Sequence, residues 1–326
     1  MKGRKLAIGC LAGLGAVLSL VGLTSCKSSY IRCECAITDA FENISILTDT
    51  ADIDILASND GRCKVVCNDR KRIRHTVTVQ DGTLTVQLED TRKWYDFIGS
   101  ATPSIMVWLP EGEYKGLNIE ESTGDIEISS GLQFTNMDIS LSTGDVSCYA
   151  SATENIEINL STGDIYAKEI SARSIDLSAS TGSVKLENSV SETLNVTTTT
   201  GDITMSTATC GEVKLGVSTG KTYLTDMTCA SLTSTGDTGK LIMNNVVCSG
   251  KFTIERTTGD VTFEDCDAAE ILVETSTGNV TGTLRSEKIF IPRTSTGDID
   301  VPETVTGGKC KITTSTGDIE IKIAGN

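Results

Sequence analysis

The chain has a single histidine, His75, among its 326 residues. A histidine-based triad would need that one residue as its base, yet it stands beside Arg72 and Arg74 with no serine or cysteine nucleophile marked near it. Aromatic residues are scarce, and three of the 14 fall together at Trp94, Tyr95 and Phe97. Basic residues are outnumbered, 28 Lys plus Arg against 44 Asp plus Glu, for a net charge of −16. An acidic chain argues against nucleic acid as a partner, because holding a phosphate backbone needs clustered Lys and Arg. It is equally unsuited to lying flat on an anionic membrane. Apolar residues at helical spacing of three and four are missing throughout, so the chain is not built of helices.

What is present begins with a leader. Lys2, Arg4 and Lys5 precede an apolar stretch from Leu6 to Leu23, and Leu23-Thr24-Ser25-Cys26 closes it. A charged start, an apolar middle and small residues at a cleavage point mark a secretory signal, so residues 1–25 are expected to be removed. Leu-Thr-Ser-Cys also resembles the lipobox of bacterial lipoproteins. That resemblance implies diacylation of Cys26, and two acyl chains give stable anchoring where one is marginal. The alternatives are an ordinary signal peptide or a single membrane helix. The expected location is outside the cytoplasm, tethered to the cell membrane. Without the leader, 25 basic residues face 44 acidic ones, a net charge of −19. Residues 27–116 carry only −3 of this and residues 117–326 carry −16, which suits an acidic rod held away from lipid.

The main feature is an internal repeat. Thr-Gly pairs place their glycine at 124, 144, 163, 182, 201, 220, 239, 259, 278, 297 and 317, a step of 19 or 20 every time. Within each unit apolar residues alternate, as in Ile156, Ile158 and Leu160 before Gly163 and Ile165 after it. Alternation of period two, rich in Val, Ile and Thr, reads as half-buried strands. Each unit is therefore strand, Thr-Gly turn, strand, second turn. Such a unit cannot bury its apolar face alone, whereas stacked units can. The expected fold is all-β, a parallel β-solenoid of about 19–20 residues per coil, about 50 Å long at the spacing of paired strands, with an irregular N-terminal β cap. The organisation follows as leader 1–25, anchor and linker 26–40, cap and first coils 41–116, and solenoid repeats 117–326.

The repeat turns, Gly124-Asp125, Gly144-Asp145, Gly163-Asp164, Gly201-Asp202, Gly259-Asp260, Gly297-Asp298 and Gly317-Asp318, have a structural reading. Glycine accepts positive φ at no Cβ cost, and the aspartate can accept turn N–H groups. Stacked carboxylates are also of calcium-ligand type. However, Ser183, Lys221, Lys240 and Asn279 interrupt the row, and the glycine-rich calcium nonapeptide is absent. Turn capping is the expectation, with no cofactor, and Ca²⁺ remains the alternative. An enzyme would need one carboxylate pair in contrasting environments. Here the acids recur in every coil and none is singled out.

The "STGDI-x-I" unit, together with "DIDIL", "HTVTVQDGTLTVQ" and "IMVWLPEG", resembles a bacterial β-strand-repeat family labelled "putative adhesin", over roughly residues 40–326. The resemblance implies an extracellular β-solenoid with a surface role, and it brings no catalytic residues.

Ahead of the repeats, Thr50-Ala51-Asp52-Ile53 reads as a degenerate corner, and Asp81-Gly82 as a hairpin turn. Cys33, Cys35, Cys63 and Cys67 cluster in the cap, where disulfides are favoured over zinc and free thiols stay open. Cys210, Cys229 and Cys248, spaced by 19, should stack as free, buried core residues. Trp94, Tyr95 and Phe97 read as a loop that either covers the core or meets a partner. With Arg70, Lys71, Arg72 and Arg74 they make the cap the expected specific contact surface. At the other end the chain stops just after Ile319, Ile321 and Ile323, which suggests an open edge guarded by Lys322.

The functional expectation is a non-enzymatic, lipid-anchored binding module for an unknown surface protein or polysaccharide. The alternative is a self-associating structural or stress-sensing envelope protein.

Overall fold

Alternation of period two becomes strand throughout. The computed structural model describes residues 31–70, 73–90 and 102–324, which hold 24 strands and no helix. All the strands join one hydrogen-bonded sheet that winds as a parallel β-solenoid of about 11 turns.

The strand Ile203–Thr219 shows how one coil is made. Its inward residues come in three short runs: Ile203 and Met205, then Ala208 and Cys210, then Val213, Leu215 and Val217, none more than 7 % exposed. The residues between them point outward. Burying a Leu, Ile or Val stabilises by about 1.5–3 kcal/mol, but only once coils stack. Val213 accordingly lies between Leu194 and Leu232 of the neighbouring coils.

The coil bends between its runs, and two of the bends carry a residue of positive φ. At the first, the Gly201 N–H donates to Thr219 O of the next coil at 3.0 Å, and Gly201 has φ +149°. A Cβ at Gly201 would lie 1.9 Å from Gly182 O, and from Gly144 onward each repeat glycine faces its neighbour in the same way, at 1.8–2.2 Å. Glycine is thus required by the approach of coil to coil as well as by φ. The second bend needs no glycine. Glu169, Asn188, Thr207, Asp226, Asn245 and Asp265 take φ of 52–56°, one to a coil.

At the N-terminal end nine strands build the cap and the first coils. They are β1 (Ile31–Ile37), β2 (Asn43–Leu47), β3 (Asp52–Ala57), β4 (Cys63–Asp69), β5 (Ile73–Gln80), β6 (Thr83–Asp90), β7 (Ser104–Leu109), β8 (Glu113–Thr123) and β9 (Ile126–Ile128). β2 and β3 form the first coil, with Ala51 stacked on Gly124 and Thr50 bridged to Thr123, so the degenerate corner is real. Between this coil and the next the chain makes an excursion. β6 pairs with β2 and β7 with β3 to add an outer layer. β5 and β6 form the expected hairpin, turned at Asp81 (φ 51°) and Gly82 (φ 72°). β4 runs antiparallel to β7, and β1 antiparallel to β4, within the stretch expected to serve as anchor and linker.

The C-terminal end departs from the sequence reading. Gly308–Thr316 pairs with Val261–Thr277 on one side and with Lys288–Thr296 on the other. Ile319–Ile323 likewise lies between Val280–Leu284 and Ile299–Asp300. The corners therefore stack in the order 278, 317, 297. The last strands are internal, and Ile319, Ile321 and Ile323 are buried. Among the described residues the outermost coil at this end is 288–300, where Pro292 stands in an edge strand that tolerates it.

Candidate functional site

The aspartate row is a ladder of backbone caps. Asp125 Oδ1 accepts the Asp145 N–H at 2.9 Å, and Asp145 Oδ1 accepts that of Asp164 at 2.8 Å. Asp164 Oδ1 then accepts the Ser183 N–H at 2.7 Å, and Asp202 Oδ1 that of Lys221 at 2.7 Å. Further along, Asp260 takes Asn279, Asn279 takes Asp318, and Asp318 takes Asp298, at 2.8–3.0 Å. Each acceptor serves the next coil and not its own turn, so the row works along the rod. Where Asn279 interrupts the aspartates its Oδ1 does the same work. Lys240 instead pairs with Asp260 at 2.9 Å, which pulls the Asp260 carboxyl below its ordinary range.

Beside the first corners, the outward faces of the long strands make a shallow groove of about 810 Å³, lined by groups such as Asn118, Glu120, Asp138, Ser140, Asn159 and Ser178. In register, Asn118, Asp138, Glu157, Asp176 and Asn195 form one outward row, a coil apart from each other. Burial, then Glu157 and Glu120, raises the Asp138 carboxyl above its usual range. The face offers hydroxyl, amide and carboxylate groups at the spacing of β-strands, suited to many weak polar contacts with an extended partner. At its edge Glu121 is buried, and its Oε1 accepts the Ala51 N–H at 2.8 Å. Burial pushes this carboxyl up to about 8, so it carries its proton at neutral pH.

In the cap the structure brings together residues far apart in sequence. Asp69 Oδ1 is 2.7 Å from His75 Nδ1, and Thr48 Oγ1 is 2.8 Å from Nε2. A carboxylate only accepts, so in the neutral ring Nδ1 donates to Asp69 and Nε2 accepts from Thr48. Hydroxyl, imidazole and carboxylate stand in the order of a catalytic relay, a partner for His75 that sequence inspection missed. The His75 side chain is nevertheless 0 % exposed, and the Thr48 N–H is already spent on Glu120 O. The group ties β5 to β4 and to the end of β2 as a satisfied buried network. Cys67 lies with Asp69 and His75, their ligand-type atoms within 4.8 Å of one another.

Of the expected cap contacts, Arg70 is half-buried and Arg74 exposed, at the two ends of the β4–β5 connection. Lys71, Arg72, Trp94, Tyr95, Phe97 and Cys26 lie outside the described residues. No disulfide joins Cys33, Cys35, Cys63 or Cys67, in contrast to the favoured pairing. Cys33 faces Cys67 across β1 and β4, and its Sγ is 3.8 Å from that of Cys35. The Cys35 contact lowers the Cys33 thiol to about 7, against burial and Asp69, which raise it. The cysteine ladder also corrects the sequence reading: Cys229 and Cys248 are joined by a disulfide, while Cys210 stays free and buried. One coil step puts the two Cα atoms 4.8 Å apart, inside the range a disulfide spans.

Among the described residues no helix is long and apolar enough to cross a membrane. The sequence profile of Toastrack DUF4097 matches residues 41–225 and again 209–326. No curated protein sequence matches the chain significantly. Among solved structures, a "putative adhesin" of Bacteroides fragilis is 16 % identical with a TM-score of 0.33, covering 92 % of this chain and 98 % of its own. A "putative lipid binding protein" of Parabacteroides distasonis is 14 % identical with a TM-score of 0.43, over 76 % and 96 % of the two chains. A "putative adhesin" of Parabacteroides merdae is 11 % identical with a TM-score of 0.44, over 78 % and 96 %.

Proposed function

The chain belongs to the Toastrack DUF4097 family, and from there we propose that it is a non-enzymatic, lipid-anchored binding protein of the cell surface, adhesin-like in using its rod as a contact surface. The observation that carries this reading is the outward row from Asn118 to Asn195, beside a groove shaped for an extended partner and no small enclosed substrate. A non-enzymatic role is supported by the repetition of the acids and by the closure of His75 from solvent. The lipid anchor rests on the Leu-Thr-Ser-Cys stretch ending at Cys26, and the cap then faces the membrane.

Crosslinking the anchored protein on intact cells tests the reading, with a form lacking residues 92–98 as control. Recovery of a distinct surface protein or polysaccharide supports it, and loss of that partner with the loop assigns the contact to the cap. Recovery of the protein alone overturns it.

A second reading, self-association, has its own observation. The outermost coil leaves Ile289 40 %, Ile291 37 % and Ile299 46 % exposed, with Val305 at 88 % beside it. Concentration-dependent assembly in sedimentation, abolished by Ile289→Asp, would favour this reading. A strict monomer would end it.

A further inference from the structure

The cap gathers thiol, imidazole and carboxylate groups on one face. Residues two apart on a strand share a face, so Cys33 and Cys35 stand together on β1, as do Cys67 and Asp69 on β4. The antiparallel register sets Cys33 against Cys67, with Asp69 one step away opposite Ile31 and Cys35 one step the other way opposite Val65. His75 reaches the same place from β5. Its Nδ1 meets Asp69 Oδ1 at 2.7 Å, and the ligand-type atoms of Cys67, Asp69 and His75 all lie within 4.8 Å of one another. These three residues are buried, and Cys33 opposite them is half-buried. The hydrogen bonds from Thr48 through His75 to Asp69 are complete without either thiol, so they do not account for two cysteines set face to face beside them.

We propose that Cys33, Cys67, Asp69 and His75 form a structural zinc site that fastens β1 to the rest of the cap. Thiolate, imidazole and carboxylate are the ligand types zinc takes in tetrahedral sites, whereas thiolates suit neither calcium nor magnesium. Burial fits the assignment, since structural zinc sites are closed. With Zn–S about 2.3 Å and bonds to nitrogen or oxygen about 2.0–2.2 Å, two ligand atoms on one ion stand about 3.3–3.8 Å apart. Asp69 Oδ1 and His75 Nδ1 therefore part by roughly 0.6 Å to admit the ion, while Cys67 closes on them. Directly opposed residues on antiparallel strands have Cβ atoms about 4.5–5.5 Å apart, so rotation about χ1 brings the Cys33 sulfur to the same ion.

The contacts around the four ligands suit this role. With Nδ1 on the metal, the neutral ring carries its proton on Nε2 and donates it to Thr48 Oγ1, 2.8 Å away. Asp69 Oδ2 keeps the His75 backbone N–H at 3.0 Å. Outer partners of this kind orient ligating imidazoles and carboxylates. Entry is from β1, which among the described residues pairs with β4 alone and can lift from its other edge. The sulfurs of Cys33 and Cys35 are 3.8 Å apart, the spacing of two thiolates on one zinc. They can hold the ion first, and Cys33 then carries it inward. Cys35 does not join the final set, because its register position lies on the far side of Cys33 from Asp69.

The test uses the full mature chain, prepared metal-free without oxidation of its thiols, with zinc and cobalt(II) as probes. The expected result is stoichiometric zinc uptake against a competing chelator, a higher melting temperature with zinc, and a cobalt spectrum showing thiolate charge transfer and tetrahedral coordination. Cys33→Ser, Cys67→Ser and His75→Gln should each weaken zinc by more than about tenfold, and Thr48→Val by about tenfold. Cys35→Ser should slow uptake and leave the affinity unchanged. If Cys67→Ser or His75→Gln fails to fold, Cys33→Ser decides the matter from its half-buried place on an edge strand: its metal-free melt should be native and no longer rise with zinc. No uptake by the native chain overturns the proposal, as does zinc held unchanged by Cys33→Ser or a cobalt spectrum without the thiolate band. A loss of affinity in Cys35→Ser as large as that in Cys33→Ser overturns the ligand set.

Discussion

Gly201→Ala should be among the most damaging single-methyl changes in the rod, and Gly297→Ala one of the milder ones. At Gly201 the added Cβ sits 1.9 Å from Gly182 O, about 1.4 Å inside the closest ordinary carbon–oxygen contact of about 3.3 Å. Relieving it by separation alone would open the coil spacing of about 4.8 Å by more than a quarter. The coil cannot yield that way, because Gly201 N–H is bonded to Thr219 O on its far side and Gly220 approaches Gly201 O in the same manner. Adding the strain of φ +149° for an L side chain, the expected loss is about 3–5 kcal/mol, the range of severe point mutations. Gly297 has the same φ class and meets Gly317 O at 2.2 Å, but its coil is outermost and can move away, so about 1 kcal/mol is expected. Urea unfolding of both variants, read as midpoint and slope, measures the difference. Equal losses at the two positions, or a loss under about 1 kcal/mol at Gly201, would refute the claim that coil-to-coil contact selects glycine.

Four further outcomes follow from the same geometry. Glu121 is raised from 4.5 to about 8 in the fold, so the folded chain holds a proton that the unfolded chain has released. Stability contributed by this group is complete below about 4.5 and falls as pH climbs to about 8, by at most about 5 kcal/mol at 1.36 kcal/mol per pH unit. Melts across that window should show the slope, and Glu121→Gln should flatten it. Thr207 is a β-branched residue at φ 54°, where other coils use Asn188, Asp226, Asn245 and Asp265. Thr207→Asn should raise stability by about 1 kcal/mol in chemical unfolding, since Asn tolerates this conformation. Because Oδ1 along the corner row is committed to amides, adding calcium should leave the Tm where a chelator leaves it. A rise would give the row a metal. Ending the chain at residue 307 should strip the coil 288–300 of its pairing, and hydrogen exchange should find that coil unprotected.

The repeat was legible because one requirement recurs at every Thr-Gly corner, and a step of 19 or 20 keeps all corners in one line. The same regularity hid the exchanged order at the end. Strands of like pattern are interchangeable as neighbours, so the positions of Gly278, Gly297 and Gly317 do not say which touches which. The second bend left a signal in the recurring Asn and Asp at 188, 226, 245 and 265, blurred by Thr207. The aspartates were readable as caps, but their direction was not, since an acceptor could serve its own turn or the next coil. For Thr48, Asp69 and His75 the meeting depends on how β2, β4 and β5 are laid together, which no local spacing encodes.

The placement of residues 308–324 between strands made before them has a consequence for biogenesis. A solenoid can be completed coil by coil as the chain emerges from its N-terminus, each new turn landing on the last. This rod cannot finish that way. When residues 288–300 emerge, their eventual seat is still missing, and the layer ending at Leu284 waits with an open edge until the final strands arrive to fill the gap. Completion of these coils thus waits for residues 308–324, which act as a keystone set after the stones on both sides of it.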